Sequence, residues 1–250
     1  MDQENHWNQV GKQYEDEIFD VFKNDKQQLL PRLIRKYAGN TKHAIDFGCG
    51  IGKAFPLLAP VFKSVLATDI STTCLKQARV NDYENITYKK ADLSRPTLRF
   101  PQVDFAFCCN VIMFPEYQKN MQMIRNLHKV LKDSGAALVV VPALESVLYA
   151  SLRMIQWYGK EGVESKNIPQ AELAYYDSNT VNLIEGIIKI NGVPTKHYSE
   201  PEIQWLFGDA GFRITALEKI EYGWKTEFDS PPKWMGAPFP WDWLIECRKK

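Results

Sequence analysis

Three glycines at alternate positions, Gly48, Gly50 and Gly52, follow Asp46 at the end of the apolar run 43–47. A short apolar run of this kind reads as a buried strand, and glycines directly after it let the backbone take positive φ and approach a ligand. A helix starting near Lys53 would offer its first unbonded amides to the same turn, which favours an anionic or carboxylate group. A second strand, 64–68, closes at Asp69. Strand, glycine turn, helix and strand make a βαβ unit, and that commits the chain to a parallel sheet covered by helices.

The rest of the chain extends the alternation. Residues 4–24 carry Trp7, Val10, Tyr14, Ile18, Val21 and Phe22 at helical spacing, a single apolar stripe. Further helices are expected over 27–37, 53–59, 72–80, 117–131 and 145–158. Strands are expected over 86–90, 103–109, 136–141, 213–220 and 243–247, with a turn at Asp133-Ser134-Gly135. Asn191-Gly192 between two β-compatible runs is a hairpin signal. Ser199 with Glu202 reads as a capping box for a helix ending at Gly211. The segments divide into an N-terminal helical lid, 1–40, and one domain, 41–250, with 145–198 inserted in it.

Composition narrows the partners. The 250 residues, 45% hydrophobic and 24% charged, suffice for one sizeable core. The formal net charge is +1, and no Lys/Arg run exceeds the terminal Arg248-Lys249-Lys250, so nucleic acid is not an expected partner. The polar start and the shortness of the apolar stretch 136–144 lead us to expect a cytoplasmic protein without a membrane span. Five Cys without a C-x-x-C pair and four scattered His indicate neither a disulfide framework nor a metal site.

The glycine turn fits three ligand classes unequally. A phosphate-binding P-loop fails, since Ala54 follows Gly52-Lys53 and Phe47 stands where the first glycine belongs. A dinucleotide fingerprint keeps Gly48 and Gly50 but meets Lys53 where Gly or Ala is needed, which leaves a NAD-dependent oxidoreductase open. The acid-x-Gly-x-Gly-x-Gly form of Asp46 to Gly52 resembles the first motif of the class I S-adenosylmethionine-dependent methyltransferases, and the likeness continues through 40–144 and, more loosely, 199–250.

That resemblance implies a Rossmann-like, seven-stranded, mostly parallel sheet with helices on both faces and an antiparallel last strand. It implies S-adenosyl-L-methionine as cofactor, with Asp69 on the ribose, Ile70 and Leu93 around the adenine, Asp92 at the adenine amine and Asn110 behind the methionine moiety. Tyr14 on the lid is expected at the methionine end. The chain lacks the polar-Pro-Pro-aromatic motif of nucleic-acid amine methyltransferases after the fourth strand and has Asn110-Val111-Ile112-Met113-Phe114 instead. A small molecule with an O, N or S nucleophile is therefore the expected acceptor, held by Trp157, Tyr158, Tyr175 and Tyr176 of the insertion. His197 and His6 are the candidate bases. A noncatalytic cofactor-binding subunit is the remaining alternative; nothing in the residues speaks to oligomeric state.

Overall fold

The computed structural model describes residues 3–14, 18–169, 182–190 and 192–250. In chain order the helices are α1 (Gln3–Val10), α2 (Val21–Asn24), α3 (Leu29–Tyr37), α4 (Phe55–Leu58), α5 (Thr72–Ala78), α6 (Tyr117–Val130), α7 (Leu144–Lys160) and α8 (Glu200–Asp209). The strands are β1 (Gly39–Phe47), β2 (Phe62–Asp69), β3 (Ile86–Lys90), β4 (Val103–Cys109), β5 (Leu131–Pro142), β6 (Ile187–Ile190), β7 (Val193–Lys196), β8 (Phe212–Glu221) and β9 (Trp241–Lys249).

Seven strands form one sheet in the order β3-β2-β1-β4-β5-β9-β8, while β6 and β7 form a separate hairpin. All pairs from β3 to β5 are parallel, and β9 runs antiparallel to both β5 and β8. Strand β5 explains why both faces must be covered. Ala137, Val139 and Val141 enter one apolar cluster, while Ala136, Leu138 and Val140 enter the other, as a two-residue side-chain period demands. Helix α3 seals the second face with buried Leu29, Leu30, Leu33, Ile34 and Tyr37. Its first turn is capped by buried Asp25, whose carboxylate accepts from the Leu29 and Leu30 amides at 3.0 and 2.8 Å.

Three local expectations change. The 4–24 stripe is not one helix: regular α1 stops at Val10, a 3-10 turn follows, and Asp20 caps the separate α2 by accepting from the Lys23 amide at 3.1 Å. The Asp133-Ser134-Gly135 turn is a bulge inside β5, where pairing jumps from Val103↔Leu131 to Phe105↔Ala136. The capping box does not close. Ser199 sits at the N-cap without a side-chain bond, Glu202 pairs with Lys196 at 2.7 Å, and the Glu200 amide donates to Glu145 at 2.8 Å instead. A buried ammonium at Lys196 outcompetes a backbone amide for that carboxylate. The hairpin is present, with Ile190 facing Val193; Asn191 itself lies outside the described residues. No helix of the described residues is long and apolar enough to cross a membrane.

Candidate functional site

The sheet reverses its winding between β1 and β4, so the chain leaves these two strands toward opposite sides and a crevice opens beyond their carboxyl ends. There lies a cavity of about 780 Å³, within the usual size of a small-molecule site.

Its base is the glycine turn. The Gly48 and Cys49 amides donate to the Thr68 carbonyl at 2.9 and 2.8 Å, which folds the turn against the end of β2. Gly48, Gly50 and Gly52 have φ of 90°, 52° and 88°, the left-handed side that glycine takes without strain. A Cβ at Gly50 would land on the Tyr14 hydroxyl, one at Gly48 on Val111, and one at Gly52 would come within 2.5 Å of the Phe55 ring. Gly48 and Gly50 border the cavity, and Gly52 does not. Gly52 is therefore required by backbone conformation and packing on α4.

Two acids meet at this turn. Asp69 accepts from the Gly50 amide at 2.9 Å through one oxygen and from the Ser71 amide at 2.8 Å through the other. Burial pushes its carboxyl up, against the pull of these amides. Asp46 is 2% exposed and its Oδ2 has no hydrogen-bond partner among the described residues. Burial, reinforced by the nearby Asp69 charge, pushes this carboxyl up to about 8. An unpartnered buried carboxyl in a cavity wall is a vacancy for a donor or a cation.

Ile70, Asp92 and Leu93 border the same cavity. Asp92 accepts from the Ser94 amide at 3.0 Å and hydroxyl at 2.7 Å, and from Arg95 at 3.3 Å. Partial burial pushes it up, yet these bonds outweigh that and hold it below the usual carboxylate range. Asn110 takes φ of 52° just after β4. Its Nδ2 donates to Asp242 at 3.2 Å, and its buried Oδ1 has no partner among the described residues.

The N-terminal segment closes one side. Asn8 accepts from the Ser71 hydroxyl at 2.8 Å and the Thr73 amide at 3.1 Å, docking α1 on α5. This docking brings Tyr14 against Gly50, and burial raises its phenol well above the ordinary value. Lys53, the residue that spoils the dinucleotide pattern, pairs with Asp20 at 2.7 Å and lies 5.8 Å from the Tyr14 ring. Half-buried His6 borders the cavity beside Trp7.

His197 also reaches the cavity and is 4% exposed. Its Nδ1 lies 3.1 Å from the Thr195 carbonyl, so Nδ1 carries the proton and Nε2 keeps the lone pair. Burial pushes its pKa down to about 4, holding the ring neutral.

The aromatic expectations fare unevenly. From α7 the wall receives Ser146, Val147, Ala150, Ser151 and Met154, and neither Trp157 nor Tyr158. The helix runs past the chamber, and Trp157 instead packs on Phe228 and donates to Glu161. Tyr175 and Tyr176 lie outside the described residues. The residues that sequence reasoning missed are Tyr222, Glu227, Phe228 and Asp242. Asp242 stands between Trp241 and Trp243 on β9, an acid in strand alternation with two aromatics, and that was the available signal.

Residues 45–139 match the family model of the methyltransferase domain. A comparison with curated protein sequences finds no significant match. Among solved structures, the chain is similar to an S-adenosylmethionine dependent methyltransferase from Mesorhizobium loti, at 18% identity and TM-score 0.61, over 92% of this chain and 100% of that one. It is similar to the N-methyltransferase NodS from Bradyrhizobium japonicum, solved with S-adenosyl-L-homocysteine, at 11% identity and TM-score 0.59, over 97% of this chain and 98% of that one. A Haloferax volcanii structure, the complex of the Trm112 methyltransferase activator with a methyltransferase, gives 13% identity and TM-score 0.60, over 100% of this chain and 98% of that one. At these identities the likeness establishes a shared fold.

Proposed function

The chain carries a methyltransferase domain over residues 45–139 on the class I α/β fold, and from that premise we propose that it moves a methyl group from S-adenosylmethionine to a nucleophilic O, N or S atom of a small molecule. The observation that carries this reading is the unpartnered Asp46 beside the Gly48 to Gly50 turn, both bordering a cavity that continues into an apolar chamber. A sheet order with antiparallel β9 between β5 and β8 differs from the all-parallel dinucleotide order, which sets the oxidoreductase alternative aside.

The residues fit the cofactor. Asp46 is suited to its ammonium, Asp69 to ribose hydroxyls, Ile70 and Leu93 to the two faces of the adenine, Asp92 to the adenine amine, and Asn110 and Tyr14 to the methionine end. When bound, S-adenosylmethionine supplies a methyl group made electrophilic by a sulfonium. The protein's own work is then alignment and exclusion of water. Tyr14 and Lys53 close over the turn, and Met113, Phe114, Val147 and Met154 wall the chamber with apolar surface. His197, neutral with an Nε2 lone pair, is the group positioned to take a proton from a protonated nucleophile. His6 is the second candidate.

The reading is tested by incubating the protein with methyl-labelled cofactor and fractionated small metabolites. Label should pass to a small organic molecule. Tight binding of S-adenosylhomocysteine with no transfer to any fraction would contradict it.

A further inference from the structure

Charge is unbalanced in the chamber. Of the carboxyl groups along its wall, Asp20 pairs with Lys53 and Asp92 with Arg95, whereas Asp46, Asp69, Glu227 and Asp242 have no ion-pair partner among the described residues. Asp46 and Asp69 belong to the cofactor end. Glu227 and Asp242 do not: Asp242 opens β9 beside the ends of β4 and β5, and Glu227 follows a 3-10 turn after β8.

Asp242 is held rigidly. Its Oδ2 accepts from the Tyr222 hydroxyl at 2.9 Å and from Asn110 Nδ2 at 3.2 Å. Its Oδ1 has no hydrogen bond among the described residues. Asn110, bonded to Asp242 through Nδ2, adds a second acceptor in its buried Oδ1, which has no partner among the described residues. Around them stand the rings of Phe19, which packs on Tyr222, and Phe228. Acceptor oxygens without donors, two unneutralised carboxyls and ring faces form a receptor for a cation with an apolar body.

Resting on the methyltransferase reading, we propose that the methyl acceptor has an apolar or aromatic skeleton carrying an ammonium group that Asp242 binds as an anchor, with Glu227 beside it, while the methyl passes to a neutral lone pair elsewhere on the molecule, since an ammonium nitrogen has none. Burial, with a smaller contribution from the Glu227 charge, pushes the Asp242 carboxyl up to about 6, while Glu227 itself is exposed at the rim. A cation between them relieves both. A neutral alcohol would leave the two charges facing each other, and an anion would add a third. Among the described wall residues, Lys53 is paired with Asp20 and Lys189 is exposed on the β6–β7 hairpin.

The test is calorimetric titration of the whole protein with 2-phenylethylamine, 2-phenylethanol and phenylacetate, each with and without saturating S-adenosylhomocysteine. The amine should bind about tenfold tighter than the alcohol, a preference of the size expected for a charge-assisted contact, and phenylacetate should not bind. Asp242→Asn should erase the preference while the Kd for S-adenosylhomocysteine stays within about twofold. Glu227→Gln, at the solvent-reachable mouth where folding is not at risk, should reduce the preference about threefold. Equal binding of amine and alcohol, no amine binding at millimolar concentration, or an unchanged preference in both variants would overturn the proposal. Amine preference without any binding of S-adenosylhomocysteine would instead sink the methyltransferase reading and leave the amine site standing.

Discussion

The proposed cofactor end and the proposed acceptor end of the cavity are built by different means. At the cofactor end the determinants are backbone conformations and strand-end acids within residues 46–110, each following a strand of the parallel sheet. At the acceptor end, side chains converge from the N-terminal segment, α7, the β6–β7 hairpin and β9, more than 200 residues apart in the chain. The first is local and rigid, so spacing encodes it. The second depends on tertiary packing, so single substitutions there should retune the acceptor and spare the cofactor.

The largest effect that would break this contrast is at Gly50. Gly50→Val puts a β-branched residue at φ 52° with its Cβ on the Tyr14 hydroxyl, and should weaken S-adenosylhomocysteine binding by about 100-fold or more in a calorimetric titration. Affinity within twofold of wild type would remove the turn from the cofactor site.

Asp46→Asn should separate stability from binding. The folded carboxyl titrates near 8 against 3.8 for an ordinary Asp, so between those values the folded protein holds a proton that the unfolded chain releases, and stability falls as pH rises. The variant should abolish that slope, stabilise the ligand-free protein by a few kcal/mol, on the order expected for a buried carboxyl at pH 8, and still bind cofactor about tenfold more weakly. Tm measured from pH 5 to 8, with and without S-adenosylhomocysteine, reads both. A destabilised variant would show Asp46 to be a structural acid.

His197→Gln belongs to the acceptor end and should cut kcat about 10- to 100-fold while the cofactor Kd holds. For His197 the sign is opposite: its folded pKa near 4 lies below 6.5, so it contributes stability above pH 6.5 that is lost as pH falls toward 4. The variant should therefore also lose that acid sensitivity. A change in acid stability with unaltered kcat would make it a packing residue.

The smallest effect is expected at Trp157. Because it packs on Phe228 and bonds Glu161 away from the wall, Trp157→Ala should change acceptor KM by less than about threefold, as for a residue outside the contact surface.

What was legible in the chain follows the same division. Strands β3 and β4 run over the residues that their apolar patterns mark, and Asp46, Asp69, Asp92 and Asn110 all arrive at one cavity, because strand order turns spacing into position. The break at the 3-10 turn Gly11–Gln13 was not legible, since the apolar stripe continues across it. Glu202 was misread as a cap because its true partner, Lys196, comes from the hairpin. Asp242 was passed over because its partners Tyr222 and Asn110 lie 20 and 132 residues away, a convergence that no local spacing encodes.

The most direct test of the cofactor site is a titration of the unmodified protein with S-adenosylhomocysteine and with NAD in parallel. Micromolar or tighter binding of the first, with none of the second at millimolar concentration, is the predicted result. Binding of NAD with no binding of S-adenosylhomocysteine would contradict the assignment of the glycine turn, and with it everything built on that end of the cavity.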